Sequence, residues 1–173
     1  MASHYFNKKV YMDGYGFASE KERDFYAKFI KPSGMRFELQ PNFKIMDRCM
    51  IGGTDFRGHG YKPDFVIKRP DGSLAHVYDV KAGFTSYSVS TPARLRFAAF
   101  ARRYHVPVEC VVVRKHDFKM KIFDLSNPKI QAAHVRKDRH GKIKKSSKTG
   151  KTLYDYYDVF RSLDYDIADI IGC

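Results

Sequence analysis

The chain has no tryptophan, three cysteines, and 19 acidic residues against 32 lysines and arginines, which gives a formal charge of +13 over 173 residues. Each shortage excludes something. Cys49, Cys110 and Cys173 are odd in number and share no C-x-x-C spacing. Neither a disulfide framework nor a zinc knuckle is indicated; Cys110 reads as a small buried hydrophobe and the other two as free thiols. The histidines are scattered singly, without H-E-x-x-H or other paired metal-ligand spacing. No apolar run reaches the roughly 18–20 residues that span a bilayer. The polar, tyrosine-rich start MASHYFNKKVY has no apolar signal core. The expectation is a soluble protein of the cytoplasm, with no membrane partner.

What is present is cationic charge and aromatic bulk. A hydrophobic content of 43%, with 15% aromatics, is enough to fill the core of one domain. The charge favours a polyanionic partner such as nucleic acid, although charge alone does not separate DNA from RNA or from an anionic membrane.

FASEKERDFYAKFI predicts a helix over 19–30, with Ser19 as cap, Glu22 completing a capping box, and Pro32, Ser33 and Gly34 stopping it. MRFELQPNFKIM is extended and interrupted at Pro41. DRCMIGGTDFRGHGY, with four glycines, reads as a loop. Strands follow near 62–68 and 74–81, split by an Asp71-Gly72 hairpin signal. Thr91-Pro92 opens a second helix, with an apolar side of Leu95, Phe97, Phe100, Ala101 and Tyr104. VECVVVRK then reads as a strand buried on both faces, and FKMKIF as a half-exposed one. Helix, three strands, helix and strand make an α/β fold with a mixed central sheet flanked by helices. Residues 1–125 form this core and 126–173 an extension. Within the extension, 134–151 holds eight Lys or Arg and one Asp, as a mobile basic loop. TLYDYYDVFRSLDYDIADIIGC is helical at first and folds back on the body.

A turn that opposes Asp71 to Gly72 also opposes Asp64 to Asp79, placing their Cβ atoms about 4.5–5.5 Å apart on one face. A three- or five-residue turn would shift that pairing by one. Lys81 projects to the same face and Val80 to the other. Two adjacent carboxylates repel unless a counterion lies between them, and a hard divalent cation such as Mg²⁺ or Mn²⁺ meets that need together with phosphate oxygens. Such an ion can activate water and offset charge on phosphorus, with a nearby ammonium assisting. The competing explanation is a strand-entry Asp64 and a diagonal surface pair of Asp79 with Lys81. Glu22 lies on the inward stripe of the first helix with Phe25, Tyr26 and Phe29, where it either joins this centre or serves only as the capping glutamate.

Taken together, Pro63-Asp64 and Asp79-Val80-Lys81 resemble the PD-(D/E)xK nuclease superfamily. Added to Ser19-Glu20-Lys21-Glu22, Glu38-Leu39-Gln40-Pro41-Asn42-Phe43 and Tyr78-Asp79, they are similar to a family of small phage endonuclease-like proteins grouped as a domain of unknown function. The resemblance covers about 19–114. It implies a restriction-endonuclease-like core of order α-β-β-β-α-β, metal ligation by Asp64 and Asp79 with help from Glu22, a catalytic Lys81, and Gln40 as a water-positioning residue. Asp79 stands where many relatives carry Glu, and Ala82-Gly83-Phe84 carries one residue more than the expected K-G-F.

The function expected is therefore a Mg²⁺-dependent DNA endonuclease of phage or prophage origin, with Mn²⁺ as a substitute. Branched or Holliday-junction DNA is a candidate substrate, and a homodimer would suit two symmetric cuts. Arg94 and Arg96, near a helix N-terminus, are candidates for phosphate. Lys142, Lys144, Lys145, Lys148 and Lys151 are candidates for sequence-independent affinity, unless that stretch is a solubilising tail. A DNA-binding accessory protein on the same fold and an RNA nuclease are the alternatives.

Overall fold

Ser19 opens the first helix as its sequence predicts. In the computed structural model, which describes residues 9–172, its hydroxyl accepts from the Glu22 N–H at 3.2 Å and lies 2.9 Å from Glu22 Oε1. This cap starts α1 (Glu20–Phe25). Contrary to the sequence expectation, Pro32 does not stop the helix; the chain widens into a π turn over Tyr26–Ile30 and adds one α turn, Lys31–Ser33, before Gly34 closes it at φ 65°. Proline has no N–H and its ring crowds the carbonyl four residues back. The wide turn just before Pro32 leaves room for that ring, with the Lys31 N–H reaching back to the Tyr26 carbonyl. Cys173 and the first eight residues lie outside the described part.

Six strands form the central sheet: β1 (Phe37–Leu39), β2 (Phe65–Lys68), β3 (Leu74–Val80), β4 (Glu109–Val113), β5 (Phe118–Lys121) and β6 (Asp158–Phe160). They lie side by side in chain order. Neighbours are antiparallel except β3 and β4, which run parallel and are joined through α2 (Thr91–Tyr104). Ser90, not Thr91, caps α2, because its hydroxyl is the one that reaches the Ala93 N–H. Leu95 is exposed, since it stands two residues from Phe97 and so falls off the buried stripe. No helix among the described residues is long and apolar enough to cross a membrane.

Strand alternation sorts the side chains into two cores. Phe65, Ile67, Tyr78, Val111 and Phe118 pack with Phe25 of α1 and Phe29 of the π turn, while Val66, Val77 and Cys110 pack with Phe97 and Phe100 of α2. The α1 layer encloses a buried polar group. Glu109 Oε1 lies 2.9 Å from His76 Nδ1, Tyr165 donates to its other oxygen, and the Tyr165 and Tyr78 hydroxyls are 2.9 Å apart. Glu109→Ala leaves the buried His76 Nδ1 without its partner, and a loss of about 1–3 kcal/mol is expected. Urea unfolding measures it, and a loss below about 1 kcal/mol would show the network to be dispensable.

Three segments depart from their sequence reading. Residues 47–61 are a β-arm, not a loop: Cys49–Ile51 pairs with Thr54–Phe56 around Gly52-Gly53, both at positive φ, and Phe43–Met46 pairs with His59–Tyr61 below it. Two glycines between β-forming triplets specify such a turn. Residues 133–156 are an ordered ribbon, not a basic loop. Ala133–Val135 pairs with Tyr154–Tyr156, and the Lys144 and Leu153 amides donate to the Arg136 and Lys144 carbonyls, threading Lys144 between two partners. Beyond it the chain is extended where a helix was expected, because alternating Tyr, Val and Phe complete the sheet edge as β6. Only α3 (Ile167–Ile171) is helical there, and Leu163 and Ile167 seal the α1 core.

Candidate active site

The turn between β2 and β3 encloses three residues, not two: Arg69 N–H donates to the Ser73 carbonyl, with Gly72 at φ 87°. That would have displaced the register by one. An irregularity restores it, since Lys68 pairs with Leu74 but Ile67 pairs with His76, leaving Ala75 as a bulge. Phe65 is opposite Tyr78, which carries Asp64 and Asp79 to the same end of the hairpin. Asp64 itself stands one residue before β2, where its N–H turns to the Tyr78 carbonyl at 2.9 Å.

Asp64, Asp79 and Lys81 line one pocket of about 480 Å³, together with His59, Tyr61 and Arg96. It opens where β3 ends and the crossover to α2 begins, the usual side for ligands in a parallel strand pair. Asp79 is 5% exposed. Its Oδ2 accepts from the Tyr61 hydroxyl at 2.9 Å, whereas Oδ1 is buried and has no hydrogen bond. The Lys81 ammonium stands against Oδ1 as an ion pair without hydrogen-bond geometry. Asp64 Oδ2 accepts from the Val80 N–H at 2.6 Å.

The charges act on one another. Burial, then the charge of Asp79 and then that of Glu22, push the Asp64 carboxyl up to about 8, against the opposing pull of the Val80 N–H and Lys81. Burial alone would depress the Lys81 ammonium, but Asp79 and Asp64 outweigh it and raise its pKa. Lys81 is therefore a fixed cation at neutral pH, not a base.

Glu22 and Gln40 meet one another but stand back from this pair. Both Glu22 carboxylate oxygens are engaged at the helix start, Oε1 with the Ser19 hydroxyl and Oε2 with the Ala18 N–H at 3.0 Å. Gln40 donates to Glu22 Oε2 at 3.4 Å, and its backbone N–H donates to the Asp64 carbonyl at 3.1 Å. Gln40 adopts φ 49°, a left-handed conformation uncommon outside glycine, ahead of Pro41. It ties the helix acid to the strand that carries Asp64. Among the described residues no three His, Cys, Asp or Glu side chains gather to hold a metal ion. Glu22 thus acts here as a cap and as a charge on Asp64; α1 packs on the far sheet face from α2, which keeps it apart.

The arginines divide. Arg94 is held by Asp124, with Nε 3.1 Å from Oδ2, so its charge is largely neutralised within the chain. Arg96 faces the pocket. Of the five lysines, Lys144 borders a separate cavity, and Lys142, Lys145, Lys148 and Lys151 lie along the ribbon. Tyr61 was missed from sequence. It is the last residue of the arm, and only the pairing of Phe43 with Tyr61 brings its hydroxyl under Asp79.

The donor set fits a hard cation that keeps several waters. Two carboxylates suffice when phosphate oxygens complete the shell, and the Asp79 Oδ1 that the Lys81 ammonium now faces is an anionic oxygen such a cation can share. Asp64 and Asp79 are the residues that would hold it. A family model described as a protein of unknown function (DUF1064) matches residues 2–116. No curated protein and no solved structure matches the chain.

Proposed function

The chain belongs to this DUF1064 family, whose function is unknown, and from the site it carries we propose a divalent-metal-dependent endonuclease that hydrolyses DNA phosphodiesters. In this reading the core is restriction-endonuclease-like and of the PD-(D/E)xK type, Mg²⁺ or Mn²⁺ is the cofactor, and the protein acts in the host cell cytoplasm for a phage or prophage. Branched DNA cut by a homodimer is the substrate form we favour. The observation that carries the proposal is the grouping of Asp64, Asp79 and Lys81 in one pocket, where the buried Oδ1 of Asp79 has the Lys81 ammonium as its one ionic partner.

When bound, the cation offsets the charge that builds on the phosphoryl oxygens in the transition state. The chain's own residues do the rest. Asp64 and Asp79 supply the anionic ligands, and Tyr61 fixes the Asp79 carboxylate in orientation. Lys81, held protonated, adds a positive charge beside the reacting phosphate. Arg96 at the pocket wall orients a neighbouring phosphate. Gln40 positions the Asp64 segment through its backbone. Hydrolysis then forms a bond from the water oxygen to phosphorus and breaks a phosphorus–sugar oxygen bond, the leaving oxygen taking up a proton.

The test is incubation of the purified chain with labelled four-way junction, nicked and linear DNA in Mg²⁺, Mn²⁺ or EDTA. Cleavage confined to the metal-containing reactions supports the proposal. Binding without cleavage on every substrate would make it an accessory DNA-binding protein, and cleavage of RNA alone would replace the substrate. Replacing Lys142, Lys144, Lys145, Lys148 and Lys151 by Gln should lower the slope of log affinity against log salt by about 0.9 for each phosphate that is no longer neutralised. An unchanged slope would remove the ribbon from the DNA path.

A further inference from the structure

A second cavity, of about 580 Å³, gathers four cations, Lys119, Lys121, Arg136 and Lys144, against one carboxylate, Asp155. That carboxylate is already engaged, since Arg136 Nε and Nη2 both donate to its Oδ1 at 2.9 and 2.6 Å. Three positive charges are left without a counter-charge. Two of the cations are held in place by the fold: Lys119 and Lys121 are part-buried on β5, and the Lys119 ammonium sits 4.5 Å from the centre of the Tyr157 ring. Crowding shows on Lys121, whose pKa is lowered first by burial and further by Arg136 and Arg94, with Asp155 opposing. Like charges converging on a cavity are unfavourable until an anion lies between them.

The cavity has a defined relation to the candidate active site. Asp79 pairs with Cys110, and Cys110 pairs with Lys121, so the three project from one sheet face on adjacent strands. At about 4.8 Å per strand, Lys121 is about 10 Å from Asp79. Duplex DNA carries one phosphate per about 3.4 Å of each strand. The cavity therefore lies within about three nucleotides of a phosphate placed at Asp64 and Asp79. Phe84, Thr85 and Ser86, from the segment that follows Lys81, form its near wall.

We propose that the cavity framed by Lys119, Lys121, Arg136 and Lys144 is a second anion site, which holds a backbone phosphate of the DNA strand whose scissile phosphate lies at Asp64 and Asp79. It rests on the nuclease reading for the identity of the strand, but not for the anion. It would fix the strand's path and its distance from the cut, a positioning role that the ribbon lysines alone do not supply.

The experiment uses the full chain in EDTA, so that no cleavage is required. Inorganic phosphate is titrated while backbone amide resonances are followed, and a 12-residue oligothymidylate is titrated by fluorescence anisotropy at several salt concentrations. Phosphate should shift the amides of Phe84–Ser86 and Lys119–Lys121. Lys121→Met keeps the apolar stem, so its spectrum should otherwise overlay that of the unaltered chain. In that variant the shifts should vanish, oligothymidylate affinity should fall about tenfold at low salt, and the salt slope should drop by about 0.7. If Lys121→Met proves misfolded, Lys119→Gln carries the same expectations. Phosphate shifts elsewhere, or an unchanged slope in a folded variant, would overturn the site. Phosphate binding with no effect on the oligonucleotide would leave a free-anion site and end the strand proposal. Absence of cleavage in Mg²⁺ would instead count only against the nuclease reading.

Discussion

Asp79→Asn should cut the rate of DNA cleavage in Mg²⁺ by about 10²–10³-fold, the scale reached when a charge-stabilising group is removed from a reacting centre. The substitution keeps the shape of the side chain. Its amide oxygen can still accept from Tyr61, and Val77 and Val80 beside it remain packed in the two cores. What disappears is the anionic Oδ1, the buried oxygen that faces the Lys81 ammonium. Affinity for DNA in EDTA should be unchanged or higher, because one negative charge leaves the phosphate path while Lys81 and Arg96 stay. Gel assays of cleavage and anisotropy of binding measure the two effects independently. Turnover within tenfold of the unaltered chain would take Asp79 out of the metal-binding pair and leave it as Lys81's structural counterion.

That the two aspartates share one end of the hairpin is legible because period 2 and turn chemistry are local. Even so, the expectation reaches the right register by a route the chain does not take: the turn is one residue longer than assumed, and the bulge at Ala75 compensates. The β-arm has its signal in Gly52-Gly53, but glycine richness alone does not separate a turn from a loop. Glu22 shows the converse. Its capping geometry is written into Ser19-x-x-Glu22, and local bonds at the helix start occupy both oxygens.

Tyr61 and the cation cavity are out of reach for a different reason. Nothing near Tyr61 in sequence points to Asp79, and the hydrogen bond needs both the arm and β3 in place. Lys119 and Lys121 look like the exposed half of an alternating strand. They come to line one cavity only because β3, β4 and β5 lie side by side and the ribbon returns Arg136 and Lys144 over them. The C-terminal strands read as helix from the chain, yet edge pairing overrides weak local propensity. Site chemistry that depends on one hairpin is readable from a chain; chemistry that depends on sheet order is not.

Asp64 provides the second large effect, on stability rather than rate. In EDTA the folded chain holds the Asp64 proton up to about pH 8, whereas the unfolded chain releases it near the ordinary carboxylate value of about 3.9. Between those limits the folded state carries one proton more than the unfolded state, so unfolding free energy falls as pH rises and levels off above about 8. The upper bound of this loss is about 6 kcal/mol. Urea midpoints between pH 5 and pH 8 should therefore drift downward in the unaltered chain. Asp64→Asn should remove that drift and be the more stable of the two at pH 8, its amide oxygen still accepting from the Val80 N–H. Asp79→Asn removes the second cause of the raised pKa and should shorten the window from its upper end. Mg²⁺ competes with the Asp64 proton, so its stabilising effect should grow with pH through the same window. If stability in EDTA is as flat for the unaltered chain as for Asp64→Asn, the two carboxylates do not share a site, and a cation has no reason to sit between them.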